Sequence, residues 1–408
     1  MPSTFTWIDH AERDRERMMA VIDLFAEQDT RDELGIGGVR DSLAEQLFPG
    51  VSVVQTRARY LLFVPWMYRE LERCGVSAND AERRGRRAET ALIDALASAP
   101  ENAGTIGIQA RDTLRRLPSN VYWQALGRYG IRVFPSRQDL YHRSFDLFHT
   151  RSDRHRALGR DRADEVADAP PANWHPQLPA PPDDFPATAD FRLRSQDADY
   201  LHERILTTAP GTLLAFLVDR GRVTERTIFP WQHPQVSELP DRLRDLLVHA
   251  RCFSEVMHGA ALLYNLTLAE EAHRAEADGY REWLQTWAEG IRERLGELAA
   301  WDRASFWERV SAGPTRITPQ GRAFANRWLD IALAPAGAFG VADEASARDL
   351  IRARERELKG PLARLGNLGA QERWNGASGA AQLNYRWGTV QTIVSDILHG
   401  LAEGHGDA

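Results

Sequence analysis

LPDRLRDLLVHARCFSEVMHGAALLYNLTL, residues 239–268, decides the fold class. Its apolar residues return at three- and four-residue steps, the period of one buried helix face. The same periodicity runs outward in both directions. Asp197–Thr207, LLAFLVDR at 213–220 and Ala275–Leu298 carry it. So does GRAFANRWLDIAL, behind the cap and first-turn pair Thr318–Pro319. NYRWGTVQTIVSDILHGL at 384–401 reads as an amphipathic helix closed by Gly400. Towards the N-terminus, Asp9 and Glu12 form a capping box for a helix carrying Met18, Ile22 and Phe25, and glycines 35, 37 and 38 break it. Helices are further expected at VRDSLAEQLF, at QTRARYLLFVPWMYRELERC with Pro65 as a kink or early helical position, and over Ser77–Ala97 and Ile106–Leu117. Another is expected in VYWQALGRY, capped by Asn120 and ended by Gly130. Only IRVF at 131–134 and FRLR at 191–194 read as short strands.

The fold is therefore expected to be mainly α. ADAPPANWHPQLPAPPDDFPATA is proline-rich with little periodic apolar content, which marks an extended connector. It divides an Arg-rich N-terminal domain, 1–157, from an acidic and Trp-rich C-terminal domain, 191–408, with the connector over 158–190.

Composition narrows the chemistry. The chain has 408 residues and 51 basic side chains, of which Lys359 is the single lysine. A phosphate-binding Walker loop needs lysine followed by Ser or Thr, and Gly360 follows Lys359. A kinase lysine belongs on a strand, whereas Lys359 sits in the helical RARERELKG. ATP hydrolysis and most phosphoryl chemistry are thereby disfavoured. The longest apolar run, Tyr60–Tyr68, is about half of a membrane crossing and contains a proline. Two cysteines provide no disulfide framework. A cytoplasmic protein with no membrane contact is expected, and no cofactor is implied. Charge is uneven: residues 51–160 hold nineteen arginines against eleven acids, although the whole chain has a net charge of −7. Such asymmetry suits nucleic acid on the basic part and a protein on the acidic part, or merely a solvated arginine face.

Four stretches compete as sites. Asp139, His142, Asp146, His149 and Asp153 recur along one helix face, which suits either a solvated face or zinc or manganese in a hydrolase or nuclease. The solvated face is the reading preferred, so no metal ligand is assigned. His249, Cys252, Glu255 and His258 drift round a helix and read as core. GIGG at 35–38 and NGASGA at 375–380 fall short of a dinucleotide loop and a nucleophile elbow. TLRRLPSNVYWQALGRYGIRVFPSRQDLYHR follows the order helix, turn, helix, strand of a helix-turn-helix with a wing. There Asn120, Gln124 and Arg128 would face bases, with Arg115, Arg116, Arg132 and Arg137 near phosphates. The plainer alternative is a helical hairpin with Tyr122, Trp123 and Leu126 as core. Most tryptophans are expected in cores, while those in QERWNG and YRWG, beside arginine, are typical of protein-interface anchors.

Several strings carry a family resemblance: residues 29–66, LPSNVYWQALGRYGIRVFP, QDLYHRS, HGAALLYNLTLAE, LKGPLARLGN, ERWNGASG and the terminal NYRWGTVQTIVSDILHGL. They resemble a bacterial family catalogued as a domain of unknown function, number 6361, over nearly the whole chain. The resemblance implies no activity and no catalytic residue. It implies occurrence beside helicase-like and nuclease-like genes in phage-defence neighbourhoods, which is an association and not a mechanism. The expectation is an accessory protein, not itself a catalyst, that contacts DNA or RNA through its basic half and a helicase- or nuclease-like partner through its C-terminal half. The opposing class is a metal-dependent hydrolase or nuclease using Asp139, His142, Asp146 and His149, and a third is a structural subunit that touches no nucleic acid. The sequence leaves the oligomeric state open.

Overall fold

The computed structural model describes residues 32–150 and 172–405. The Asp9–Glu12 capping box and its helix, Asp153, and the connector from 158 to 171 lie outside the described residues. Helices dominate, as expected. Among the described residues there is no strand, only one antiparallel bridge between Arg132 and Trp174.

The principal helices are α1 (Gly37–Leu47), α2 (Tyr60–Arg73), α3 (Ala78–Ser98), α4 (Pro118–Arg128), α5 (Gln138–Arg143), α6 (Ser195–Thr208), α7 (Leu213–Arg220), α8 (Asp241–Glu271), α9 (Glu276–Glu293), α10 (Arg303–Ala312), α11 (Pro319–Ala332), α12 (Ala345–Lys359) and α13 (Trp387–His405). They divide into two compact units, each built from two pieces of chain. Of the described residues, 32–43 and 244–385 form the first unit, and 44–243 and 386–405 the second.

The first unit is organised on α8. Leu247, Ala250, Phe253, Val256, Ala260, Leu263 and Leu266 are buried, as are Cys252, Leu262 and Leu268 on other sides. A helix buried all round is a central helix. Its neighbours attach to its carbonyl groups through indole and phenol: Trp287 Nε1 donates to Glu255 O and Trp328 Nε1 to Val256 O, both at 2.8 Å. Tyr385 Oη donates to Ala250 O at 2.7 Å. Gly259 permits this closeness, because a Cβ there would lie 2.3 Å from the Trp287 ring. His258 is half-buried and bonded to the Ala380 carbonyl at 3.1 Å, and desolvation lowers its pKa to about 4. The cluster His249–His258 is thus packing, as its spacing suggested. Trp374 is likewise core, so arginine beside that tryptophan did not mark an interface anchor. GIGG is the turn into α1, with Gly35 at φ +66°, Gly37 and Gly38 already in the helix, and the Asp32 carboxylate accepting from Ile36 N and Gly37 N at 2.8 and 2.6 Å. Ser378 of NGASGA is buried, and its amide donates to Asn265 Oδ1 at 2.7 Å. Lys359, the single lysine, pairs with Glu355 at 3.1 Å and with Glu33, while Arg364 pairs with Glu33 at 3.0 Å. Its charge serves a partly buried ion cluster.

The second unit packs α2 on α3 and α4, and α13 on α6 and α7. Tyr60, Phe63, Tyr68, Tyr122, Trp123, Tyr141, Trp174 and Phe191 fill its core. Trp387 of YRWG is also buried and not an exposed anchor. Pro65 sits inside α2, which continues through it. Gly400 does not end the last helix. It lies within α13, where a Cβ would stand 2.8 Å from that of Ala198, so its role is close approach to α6.

Candidate functional site

The segment 111–138 holds all seven residues that the sequence nominates for nucleic-acid contact. Helix α4 begins at Pro118, three positions earlier than a cap at Asn120 would allow. Asn120 instead reaches back, its Oδ1 accepting from Leu117 N at 3.0 Å, and its Nδ2 donates to Gln138 Oε1 at 2.6 Å. Gln138 Nε2 donates to Ser119 Oγ at 2.7 Å and to Tyr68 Oη at 2.8 Å. Ser119 in turn donates to the buried Glu89 carboxylate, from its amide at 2.7 Å and its hydroxyl at 2.6 Å. Burial raises the Glu89 pKa to about 7 in spite of those two bonds. The first turn of α4 is thus bolted to α2, α3 and α5.

The expected helix-turn-helix is not formed. Residues 106–117 make turns and one 3-10 turn, Arg111–Thr113. Gly107 is at φ +79° and Arg111 at φ +49°, conformations that a helix cannot contain. No wing follows α4 either, since residues 131–134 contribute only the Arg132–Trp174 bridge.

The side chains nevertheless gather. Arg116, Asn120, Gln124, Arg128 and Arg132 line one open cleft of about 560 Å³ in the second unit. Val133, Phe134 and Pro135 are apolar parts of its lining, Glu45 adds a carboxylate, and Gly50, Val51, Ser52 and Gln55 are further lining residues. Arg115 precedes this cleft, and Arg137 is beside Gln138, to which Asn120 is bonded. Arg115, Arg116 and Arg137 are exposed, with no acidic partner among the described residues. Arg128 is exposed and donates to the Thr208 carbonyl. Arg132 differs from the others. Its guanidinium donates to the carbonyls of Trp123 at 3.3 Å, Ser136 at 3.0 Å and Phe134, and lies 4.8 Å from the Trp123 ring centroid. Arg132 therefore builds the cleft, and Gly127 makes room for it: a Cβ there would lie 2.3 Å from its Nη2.

Sequence reasoning missed Arg386, which reaches the same cleft and donates to Val51 O at 2.6 Å. It missed Ser52 too, whose hydroxyl oxygen is buried without a hydrogen-bond partner. Neither residue has a local sequence signal, since the chain brings them from 64 or more positions away from Arg116.

The Asp/His stretch is divided. Helix α5 stops at Arg143, the chain turns at Ser144, whose hydroxyl bonds to Leu140 O at 2.8 Å, and residues 145–150 resume the helix. His142 Nε2 pairs with Tyr68 Oη at 2.9 Å and His149 Nε2 with Val76 O at 2.8 Å. Asp146 accepts from Ala78 N at 2.9 Å, at the start of α3, and Asp139 is exposed. Both histidines are half-buried, so the face is not uniformly solvated. Among the described residues, no group of three or more His, Cys, Asp or Glu side chains could hold a metal ion. No described helix is long and apolar enough to cross a membrane.

Among known proteins, a family model matches residues 2–403, described as a family of unknown function (DUF6361). No curated protein and no solved structure matches the chain.

Proposed function

Since the chain belongs to the family of unknown function DUF6361, no activity comes with that membership, and we propose that it is an accessory protein that contacts nucleic acid through the face around α4. One observation carries this reading: Arg115, Arg116 and Arg137 are exposed without acidic partners among the described residues, Arg116 lines a cleft with Asn120, Gln124 and Arg128, and Arg115 and Arg137 are the chain neighbours of Arg116 and of Gln138, which is bonded to Asn120. Guanidinium groups left unneutralised are free to displace counterions from phosphates, and amides beside them can meet base edges. The reading needs neither a recognition helix nor a wing. It also needs no catalysis, as the nitrogen atoms of His142 and His149 that are bonded already have protein partners.

The same reading assigns a protein partner to the C-terminal half, within a bacterial defence or nucleic-acid-processing system. The tryptophans do not support that part, but Leu358, Leu362 and Leu368 do, being 42%, 74% and 75% exposed within one short stretch.

Binding of labelled single- and double-stranded DNA and RNA across a salt series tests the first part. Affinity should fall steeply between about 50 and about 200 mM salt. The triple variant R115A/R116A/R128A should flatten the logarithmic salt slope by about 2–3. Absence of binding at the lowest salt would reject nucleic-acid contact and leave a structural subunit.

A further inference from the structure

The cleft beside α4 is lined both by arginines and by apolar residues. We propose that it receives one unpaired nucleotide of a single-stranded nucleic acid, with the phosphate on Arg116 and Arg128, the base against Val133 and Phe134, and the base edge at Gln124. This rests on the reading of the α4 face as a nucleic-acid contact and specifies the form of nucleic acid it takes.

Size is the first argument. A volume of about 560 Å³ lies within the range of small-ligand pockets, roughly 300–1,000 Å³, and suits a nucleoside monophosphate. A duplex cannot enter it, because its bases are stacked and paired, whereas a single strand can turn one base out. The lining is the second argument. Cationic and apolar groups within one cleft match a ligand that is anionic at one end and flat and apolar at the other, and the one carboxylate in the lining, Glu45, is paired with Arg386. Val133 is 50% exposed, so its apolar surface is available. Gln124 is exposed and makes no hydrogen bond among the described residues, which leaves both ends of its amide for a base edge.

Arg115 and Arg137, which do not line the cleft, would then meet flanking phosphates. That is the reason to favour a strand over a free nucleotide. Arg132 takes no part in binding, being committed to carbonyl oxygens.

The test compares four probes on the full chain at one low salt concentration: a short single-stranded oligonucleotide, a strand of equal length with abasic spacers in place of all nucleosides, the duplex, and AMP alone. The natural single strand should bind about tenfold or more tightly than either the abasic strand or the duplex, the contribution expected from one stacked and bonded base. Gln124→Ala and Val133→Ser, both at exposed positions, should each narrow that gap while leaving affinity for the abasic strand unchanged. Equal affinity for strand, abasic strand and duplex would overturn the cleft assignment and leave the basic surface standing. AMP binding as tightly as the strand would overturn the assignment to a strand. No binding by any probe would overturn both the cleft and the surface.

Discussion

At the scale of single residues, Arg116 and Arg132 carry the same guanidinium and do opposite things. Arg116 is exposed at the cleft, while Arg132 is folded back onto three main-chain carbonyls and the Trp123 ring. Their variants should therefore separate stability from binding. Arg132→Ala strips charged donors from partly buried carbonyls and should lower unfolding free energy by about 2–3 kcal/mol. It should not flatten the salt dependence beyond what misfolding explains. Arg116→Ala should leave the melting temperature in place and flatten the salt slope by about 1. Thermal melts run beside the salt series check both, and a reversal of the two patterns would refute the division of labour. The sequence could nominate both arginines but not distinguish them. What separates them is Gly127, whose missing Cβ lets the Arg132 guanidinium lie against α4, and nothing in the string GRYGIR announces that contact.

Elements were legible where periodicity and caps agreed and illegible where backbone conformation overruled apolar spacing. Helix α8 runs Asp241–Glu271, close to the expected 239–268, because its apolar period is unbroken. Helix α11 starts at Pro319 with the Thr318 hydroxyl accepting from Gly321 N at 3.0 Å, which the Thr–Pro pair foretold. Residues 106–117 went the other way. Their apolar spacing suggested a helix, but Gly104 at φ +94° and Gly107 at φ +79° turn the chain, and a Cβ at Gly107 would strike Leu114 at 2.4 Å. Gly259 poses the reverse problem, a glycine that weakens helix propensity inside the longest of the described helices. Its reason is packing against Trp287, an indole pinned by its bond to Glu255 O. Gly259→Ala should gain helix propensity yet lose stability, by about 1–3 kcal/mol, since the ring cannot withdraw without breaking that bond. Chemical denaturation of the variant checks the sign. A stabilised variant would mean that the ring has room to move.

At the scale of the whole molecule, each unit is assembled from two separate pieces of chain, and the borders near residues 43 and 243 fall inside α1 and α8. Those two borders lie within continuous helices, so no linker in the linear sequence marks them. Two groups that burial shifts into the range between pH 4 and 7, one in each unit, give the units opposite responses to pH. In the second unit, Glu89 has its pKa raised from an ordinary 4.5 to about 7, so the folded state holds a proton that the unfolded chain has released. Its linkage makes that unit lose stability as pH rises from about 4.5 to about 7. In the first unit, His258 has its pKa lowered from 6.5 to about 4, so the unfolded chain binds a proton that the folded state refuses. Its linkage makes that unit lose stability as pH falls from about 6.5 to about 4. Each contribution is on the order of 3 kcal/mol at full extent. Native-state hydrogen exchange, corrected for the intrinsic pH dependence of the chemistry, reads the two units separately. Other groups titrate in both, including Asp396, raised by burial, and His249, lowered by burial, so the decisive quantity is the difference between the wild type and a variant of each group. Glu89→Gln should remove a falling stability trend from the second unit between pH about 5 and about 7 and leave the first unit unchanged. His258→Gln, which keeps a donor for Ala380 O, should remove a rising trend from the first unit over pH about 4.5 to about 6.5. If the two differences carried the same sign, the burial of one of these groups would be wrongly placed.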